Sequence, residues 1–344
     1  MRADHGRRTR NKTARGLHVE SLEARALMAV VVGAPDLLPA SDSGISNRDN
    51  RTNVAAPTFA IQAPRAEGVT LFRAGDPEPL GIGVPGPKPG TWLVASRALP
   101  DGLHIIRAEA TGGVRRSAPL RVEIRTTVPA PATLDLCPCT DSGVKGDRIT
   151  SAVVPRFVGT APAGAVVSLS IEGGPSLGGV RADARGTWAL VASRPLVPEG
   201  RHLVRAIATD IFGNQSPAGS VAVTIDRSRP TAAIEVTGID SFRVSFSKPV
   251  AGFTSALRGM TFSGQPVGAQ RIALPFTSPQ LRQWVGAIVF VPSADGRVYD
   301  VSFPDFGPVS GTYTLGLGAR ASGVVDAAAG NPLAGDATAT FSID

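Results

Sequence analysis

The feature that most constrains this chain is an internal repeat. Residues 36–44 read DLLPASDSG, and residues 135–143 read DLCPCTDSG. Farther along, the Gly-Thr-Trp that ends at Trp92 returns with Trp188, and His104 returns as His202. The separation stays between 96 and 99 residues throughout, as short loop insertions would allow. So many matched positions in one order predict two homologous domains.

Within each repeat, short segments alternate between apolar and polar residues. Val167, Leu169 and Ile171 lie on one side of such a segment. The whole chain has 39 glycines and 29 prolines among 344 residues, and turns rich in both separate the segments. A period of two indicates antiparallel sheet with one buried face, and some seven strands in about 100 residues are typical of an immunoglobulin-type sandwich. The sequence predicts an all-β chain of tandem immunoglobulin-like β-sandwich domains with a disordered basic N-terminal tail.

The remainder of the chain does not follow the repeat. Residues 242–250 and 311–317 alternate like strands, whereas 265–300 show no clear pattern. Arg227-Ser228-Arg229-Pro230 has the polar, proline-ended composition of a linker. The predicted segments are a basic tail and export segment (1–34), a first Ig-like domain (35–128), a second (134–226) and a third of a different subtype (230–344).

Charge and hydropathy exclude two classes of partner. Residues 1–25 hold seven basic and three acidic side chains, so they carry +4 of the net charge of +7. The remaining chain has no concentrated basic face with aromatic or glycine-rich reading elements, which predicts no nucleic-acid partner. No apolar run reaches the roughly 18 residues of a membrane helix, so no transmembrane segment is expected.

No grouping of residues indicates catalysis. The sequence has no nucleophile elbow, no glycine-rich loop that opens a helix and no His-Glu-x-x-His. His104 and His202 occupy equivalent strand positions in the two repeats, which favours a structural role. We therefore expect a protein that is not an enzyme.

Three segments of the second repeat carry a family resemblance. They are Phe157-Val158-Gly159-Thr160-Ala161, Ala182-Asp183-Ala184-Arg185-Gly186-Thr187-Trp188 and Ala208-Thr209-Asp210-Ile211-Phe212-Gly213-Asn214-Gln215-Ser216. Together they resemble the bacterial Ig-like repeats of large adhesins and biofilm-associated surface proteins. The first repeat matches less well, because residues 110–117 lack the Asp and Asn of the last segment.

The N-terminal region carries a second resemblance. After a basic leader, residues 22–28 read LEARALM. This segment resembles the LEPR-XLL motif of exported proteins from planctomycete-type bacteria, with Ala24 in place of its proline and Met28 in place of its last leucine. The resemblance implies export by an atypical signal and an extracellular or cell-surface location.

The adhesin resemblance also implies a cofactor. In such repeats Asp residues at domain junctions hold Ca²⁺, which takes several oxygen ligands. The alternative is that Asp and Asn only make turns by bonding their own backbone. Asp42 and Asp49 of the first repeat form a weaker set. The candidate calcium ligands are Asp135, Asp141, Asp147, Asp210 and Asn214.

Two further residue pairs have alternative interpretations. Trp92 and Trp188 are expected in the cores, where a large ring closes the sandwich end, rather than as stacking platforms for a ligand. Cys137 and Cys139 replace Leu38 and an alanine, which favours ordinary small apolar positions; a Cys-x-Cys disulfide or an intermolecular link is the alternative outside the cell.

These observations predict a non-catalytic cell-surface or secreted structural and adhesion protein. Its partners would be cell-surface glycans or proteins, contacted through loops and strand edges. The alternatives are a carbohydrate- or protein-binding accessory module, or a piece of a larger surface protein. The step from fold to adhesion rests on family analogy.

Overall fold

The computed structural model describes residues 31–111, 116–254, 256–305 and 309–344, and within them the chain is nearly all β. The predicted fold class is confirmed. The chain divides into two compact units, one ending at Thr127 and one spanning Val128–Asp344. No helix of the described residues is long and apolar enough to cross a membrane. The predicted tail up to residue 30, including the residues of the LEPR-XLL resemblance, lies outside the described residues.

The first repeat folds into two facing sheets. In chain order its strands are β1 (Asp36–Leu37), β2 (Arg51–Thr52), β3 (Thr58–Gln62), β4 (Val69–Arg73), β5 (Pro79–Ile82), β6 (Val84–Pro85), β7 (Thr91–Ala95), β8 (Gly102–Ala110) and β9 (Leu120–Ile124). One sheet has the order β1-β3-β7-β6 and the other β2-β9-β8-β4-β5. Alternate residues of the facing strands form the core, among them Phe59, Ile61 and Leu71.

The second repeat has the same arrangement. Its strands are β10 (Asp135–Leu136), β11 (Ile149–Thr150), β12 (Arg156–Thr160), β13 (Val166–Ile171), β14 (Ser176–Arg181), β15 (Thr187–Val191), β16 (Gly200–Thr209) and β17 (Gly219–Ile225). The sheets are β10-β12-β15 and β11-β17-β16-β13-β14, so each strand but β6 has a counterpart. Even the short parallel pairing of β2 with β9 recurs between β11 and β17.

The C-terminal segment, residues 230–344, builds a core of its own that is richer in aromatic rings. Phe242, Phe276 and Phe303 contact one another in it. Its strands are β18 (Ala232–Gly238), β19 (Ser241–Phe246), β20 (Val250–Ala251), β21 (Met260–Pro266), β22 (Ile272–Pro275), β23 (Val289–Pro292), β24 (Val298–Ser302), β25 (Gly311–Leu317), β26 (Val325–Asp326) and β27 (Ala337–Ile343).

These strands form two sheets of four and one short pair, in the orders β18-β19-β24-β23, β22-β21-β25-β27 and β20-β26. Two short helices, α1 (Pro279–Val285) and α2 (Ala319–Ser322), interrupt them. Residues 265–300, where the sequence shows no clear pattern, contain β22, α1, β23 and the start of β24. The fully buried Leu281 of α1 belongs to the aromatic core, so α1 packs against the sheet rather than extending it.

Candidate functional site

The three Asp residues at the start of the second repeat do different things. The carboxylate of Asp135 pairs with Arg148 at 2.8 and 3.1 Å, and this hydrogen-bonded pair holds the pKa of Asp135 below its usual range. Asp147 Oδ1 accepts a hydrogen bond from the backbone N–H of Ile149 at 2.9 Å. Asp141 is only 2% exposed; its Oδ2 accepts from the Gly146 N–H at 2.6 Å, and its Oδ1 has no hydrogen-bond partner.

Asp210 and Asn214 form a closed turn of their own. Asp210 Oδ1 accepts from the backbone N–H groups of Phe212 and Asn214, both at 2.9 Å. Its Oδ2 accepts from Asn214 Nδ2 at 3.0 Å. This is the turn-making role that short polar side chains commonly have.

The predicted calcium ligands are thus not brought together as one set. Within the described ranges, no group of three or more His, Cys, Asp or Glu side chains is arranged to hold a metal ion. Among the described residues, the buried Oδ1 of Asp141 has no hydrogen-bond partner, and the same holds for the buried Oδ1 of Asp42 in the first repeat. Calcium binding stays a prediction.

The equivalent loop of the first repeat places two carboxylates close to each other. Burial raises the pKa of Asp42, a hydrogen bond from the Asn50 N–H opposes that, and the nearby Asp49 carboxylate raises it further. Asp42 is 3% exposed. Both repeats therefore bury an Asp under this loop.

Functional geometry that the sequence did not reveal lies where the second repeat meets the C-terminal segment. We call this region the junction. Lys248 Nζ, at the end of the loop after β19, donates to Asp226 Oδ2 at 2.7 Å and to the carbonyl of Ser228 at 2.9 Å. Burial alone would raise the pKa of Asp226, but the hydrogen bonds from Lys248 and Ser228 outweigh it and keep this pKa low. Lys248, a residue of the C-terminal segment, thus binds the linker that joins this segment to the second repeat.

The turn of residues 326–331, which we call the junction turn, holds the linker from the other side. Asp326, only 1% exposed, accepts hydrogen bonds from the N–H groups of Ala329 and Asn331. The turn so fixed aims Asn331 Nδ2 at the carbonyl of Asp226, 2.8 Å away. A recurring Asp-to-Gly-Asn pattern marks this turn in the sequence, but nothing local indicates what it contacts.

The loop after β10 completes the junction. The N–H of Val144 donates to the carbonyl of Ala327 at 3.0 Å, and the hydroxyl of Ser142 donates to the carbonyl of Ala329. Between them, Gly143 has a φ of +68°, and a Cβ at this position would lie 2.0 Å from the carbonyl oxygen of Ala328. Only glycine allows this approach.

An open cleft of about 400 Å³ remains beside these contacts. Its charged lining consists of Asp147, Asp226, Asp326 and Lys248. The ammonium group of Lys248 already pairs with Asp226, and both carboxylate oxygens of Asp326 accept backbone hydrogen bonds. Asp226 is thus paired with a cation and Asp326 is satisfied by backbone N–H groups, while three carboxylates face one ammonium group in the lining.

The structure decides between the interpretations of the remaining pairs. A disulfide joins Cys137 to Cys139, with Cα atoms 5.1 Å apart, so the expectation of ordinary apolar positions is wrong. Trp188 is 5% exposed and belongs to the core, as predicted, but Trp92 is only partly buried at the edge of its core. His104 and His202 each hydrogen-bond a proline carbonyl four residues earlier, at 2.8 and 2.7 Å.

Comparison with protein families identifies the repeats. Residues 29–126 and 127–227 each match the profile of the bacterial Ig-like domain, and together the matches cover more than half of the chain. The chain belongs to the bacterial Ig-like domain family. No curated protein matches it.

Several solved structures are similar to this bacterial Ig-like chain. The fibronectin(III)-like modules of Clostridium thermocellum CbhA are 16% identical, with 52% of this chain and 89% of that chain covered and a TM-score of 0.34. Invasin, a bacterial integrin-binding protein, is 16% identical, with 83% and 56% covered and a TM-score of 0.27. The Yersinia pseudotuberculosis adhesin InvE is 12% identical, with 51% and 55% covered and a TM-score of 0.23. These scores are low, so the likenesses carry no argument about function.

Proposed function

We propose that this chain is a non-catalytic structural and adhesion protein of the cell surface or the extracellular space. Its three Ig-like domains, residues 35–128, 134–226 and 230–344, would act as spacers that present loops and strand edges to a partner. Membership of the bacterial Ig-like family supports the proposal. The observation that carries it is the junction, because a spacer needs neighbouring domains that keep one orientation.

The junction supports a spacer because its contacts come from both sides of the linker. Lys248 and Asn331 hold Asp226 and Ser228, while Arg229 donates to the carbonyls of Pro332 and Leu333. Hydrogen bonds to charged groups contribute about 1.5–3 kcal/mol each when buried, and less when part-exposed as here. Several such bonds on a linker of a few residues remove most of its conformational freedom.

Hydrogen–deuterium exchange combined with small-angle X-ray scattering tests the fixed junction. In the unmodified chain, the Val144 N–H is expected to exchange slowly and the scattering to fit a single shape for Val128–Asp344. The double variant Lys248→Met, Asn331→Ala should speed exchange in residues 140–150 and 326–333 and broaden the scattering. Arg205→Met is the matched control, because Arg205 pairs with Glu172 on the sheet of the second repeat.

Rapid exchange of Val144 in the unmodified chain would contradict the fixed junction. The fixed junction would also be contradicted if exchange and scattering of the double variant equalled those of the unmodified chain and of the Arg205→Met control.

Protease shaving of intact cells, with immunodetection of residues 134–226, tests the location. Loss of the signal while a cytoplasmic control survives is the expected result. A signal that persists until the cells are lysed would remove surface display. The Cys137–Cys139 disulfide supports an oxidising compartment, since such bonds persist outside the cytosol.

We keep calcium as a proposal for the loop 141–147 alone. The support is the buried, unpartnered Oδ1 of Asp141. Calorimetric titration of CaCl₂ into the unmodified chain should give a heat of binding that Asp141→Asn abolishes. Asp210→Asn should preserve this heat, because both carboxylate oxygens of Asp210 already accept hydrogen bonds within their own turn. Equal loss in both variants, or no heat in the unmodified chain, would remove the proposal.

A further inference from the structure

Trp92 and Trp188 occupy equivalent positions but have different surroundings. Trp188 lies on an edge strand, opposite Gly159. Trp92 lies between two strands, opposite Ile61 of β3 on one side and Pro85 of β6 on the other. A Cβ on Gly159 would come within 2.7 Å of Trp188 Cζ2, so the indole ring lies in the space that a side chain would need. In the first repeat Ile61 is fully buried and fills that space. Trp92 is therefore displaced outward and remains partly exposed.

The displaced ring of Trp92 is held in place. Its Nε1–H donates to the carbonyl of Ala63 at 3.3 Å, and the ring packs against the edge of the core. The polar end of the indole is thus satisfied by the protein itself. What remains for a ligand is apolar ring surface, which favours stacking over hydrogen bonding.

This ring forms one wall of a cleft of about 130 Å³. The other walls include the exposed prolines Pro64, Pro85 and Pro89. The loop is tight because Gly90 has a φ of +77°, and a Cβ there would lie 2.7 Å from Pro64 Cα. Proline rings and a close backbone contact leave few rotatable bonds, so the cleft needs little ordering before it binds.

Lys88 supplies the charge of the cleft. It lies in the lining, is exposed, and pairs with no carboxylate of the described residues within salt-bridge distance. The cleft is well below the roughly 300–1,000 Å³ of sites that enclose a drug-sized molecule, so it suits a single ring. A stacking surface beside a cation fits a ring that has one apolar face and one negative group.

We propose that this cleft binds a carboxylated sugar ring of an acidic polysaccharide, with Trp92 under the ring and Lys88 at the carboxylate. Such a site deepens the proposed adhesion role, on which it rests, by naming the class of ligand. The second repeat lacks the site because Trp188 is buried and alanine replaces Lys88 at the equivalent position 184.

Oligogalacturonate titrated into the full chain, followed by calorimetry and tryptophan fluorescence, tests the proposal. Neutral maltotriose of equal length and a polyproline peptide are the comparison probes. Binding of oligogalacturonate with a change in fluorescence is expected, together with an interaction up to about fivefold weaker for maltotriose, since one exposed charge pair contributes at most about 1 kcal/mol. Trp92→Phe should remove the fluorescence change, which separates Trp92 from the other tryptophans.

Variants assign the binding to this cleft. Lys88 is exposed, so Lys88→Glu should not disturb the fold. It should reduce the affinity for oligogalacturonate by about tenfold or more, since the side chain at this position would then repel the carboxylate of the ligand. Trp92→Ala should weaken binding about threefold to tenfold, with circular dichroism confirming the fold. Arg185→Ala, a basic position in the equivalent loop of the second repeat, is the matched control and should bind like the unmodified chain.

Three outcomes would overturn the proposal: no binding of oligogalacturonate, equal binding of maltotriose, or preference for the polyproline peptide. An equal loss in Arg185→Ala and Lys88→Glu would also overturn it, because it would indicate diffuse attraction to a basic chain. None of these results bears on the junction or the location, which exchange, scattering and shaving measure separately.

Discussion

The two repeats have the same strands, but they use two equivalent positions in opposite ways. In the second, a glycine across the strand allows Trp188 into the core; in the first, Ile61 occupies that space and Trp92 lies at the surface. Both bury an Asp beneath the loop after the first strand; in the first repeat, burial and the nearby Asp49 carboxylate raise the pKa of Asp42. One fold thus gives a buried ring in one repeat and an open cleft in the other. The two repeats differ there in the residue opposite the tryptophan and in the added strand β6, whose Pro85 lines the cleft.

The largest expected effect comes from Gly159→Ala. The new Cβ would lie 2.0 Å from the Thr133 carbonyl oxygen and 2.7 Å from the Trp188 ring, so strand and ring must both move. We expect a loss of about 3 kcal/mol or more in the free energy of unfolding. Trp188 should also become accessible to acrylamide quenching, as we expect the partly exposed Trp92 to be in the unmodified chain.

Chemical denaturation measures the loss in the free energy of unfolding, and acrylamide quenching of single-tryptophan variants measures the exposure of Trp188. A stability loss below about 1 kcal/mol, with Trp188 still protected, would show that Gly159 does not control where the ring lies.

Gly143→Ala is expected to have the next largest effect. Both Gly143 and Gly146 have positive φ values, +68° and +91°, so alanine strains either position by about 1 kcal/mol. At Gly143 the Cβ also meets the Ala328 carbonyl, whereas at Gly146 nothing lies within 4 Å. We expect Gly143→Ala to lose about 1–2 kcal/mol more than Gly146→Ala and to speed exchange of the Val144 N–H. Equal losses in thermal unfolding of the two variants would show that the junction makes no contact there.

Acid titration should separate the two units. The pKa of Asp226 is lowered from 3.8, so its contribution to stability is full above 3.8 and is lost as pH falls through the lower folded-state value. The pKa of Asp42 is raised from 3.8, so its ionised form opposes folding at neutral pH, and this penalty disappears as pH falls through the raised value toward 3.8.

The protection of junction peptides, measured as exchange relative to the intrinsic rate at each pH, should therefore fall only below about pH 4. The loop 42–50 should become more protected between neutral pH and that point. A fall in the protection of loop 42–50 over that interval, after the same correction for the intrinsic rate, would contradict the assignment for Asp42.

The smallest expected effect is that of Asp42→Asn. An amide keeps an acceptor for the Asn50 N–H and removes a buried charge next to Asp49. We expect a gain of about 0.5–1 kcal/mol in the stability of the first repeat at neutral pH, which vanishes in acid. The same change at Asp141 is the comparison in the second repeat, and thermal unfolding at two pH values measures both. A loss of stability at Asp42 would indicate that its carboxylate has a partner that the geometry does not show.

The sequence by itself determined the all-β fold and the presence of two homologous repeats. Alternation along a strand and the turn residues between strands are local properties, so neighbouring residues are enough to encode them. It also identified the turn of Asp210 and Asn214 as an alternative to a metal site, because short polar side chains bond their own backbone. It did not reveal α1, since a segment of seven residues is too short to show a helical period.

Only the tertiary structure decided which tryptophan is buried and where Lys248, Asn331 and Gly143 act. Ile61 and Trp92 are far apart in the chain, as are Gly143 and Ala328, and their effects depend on which atoms fill one space. Which side chain or carbonyl lies next to Trp92, Trp188 or Gly143 is known only once the chain has packed. Steric exclusion acts between atoms that touch, and the fold, not the order of the sequence, brings those atoms together.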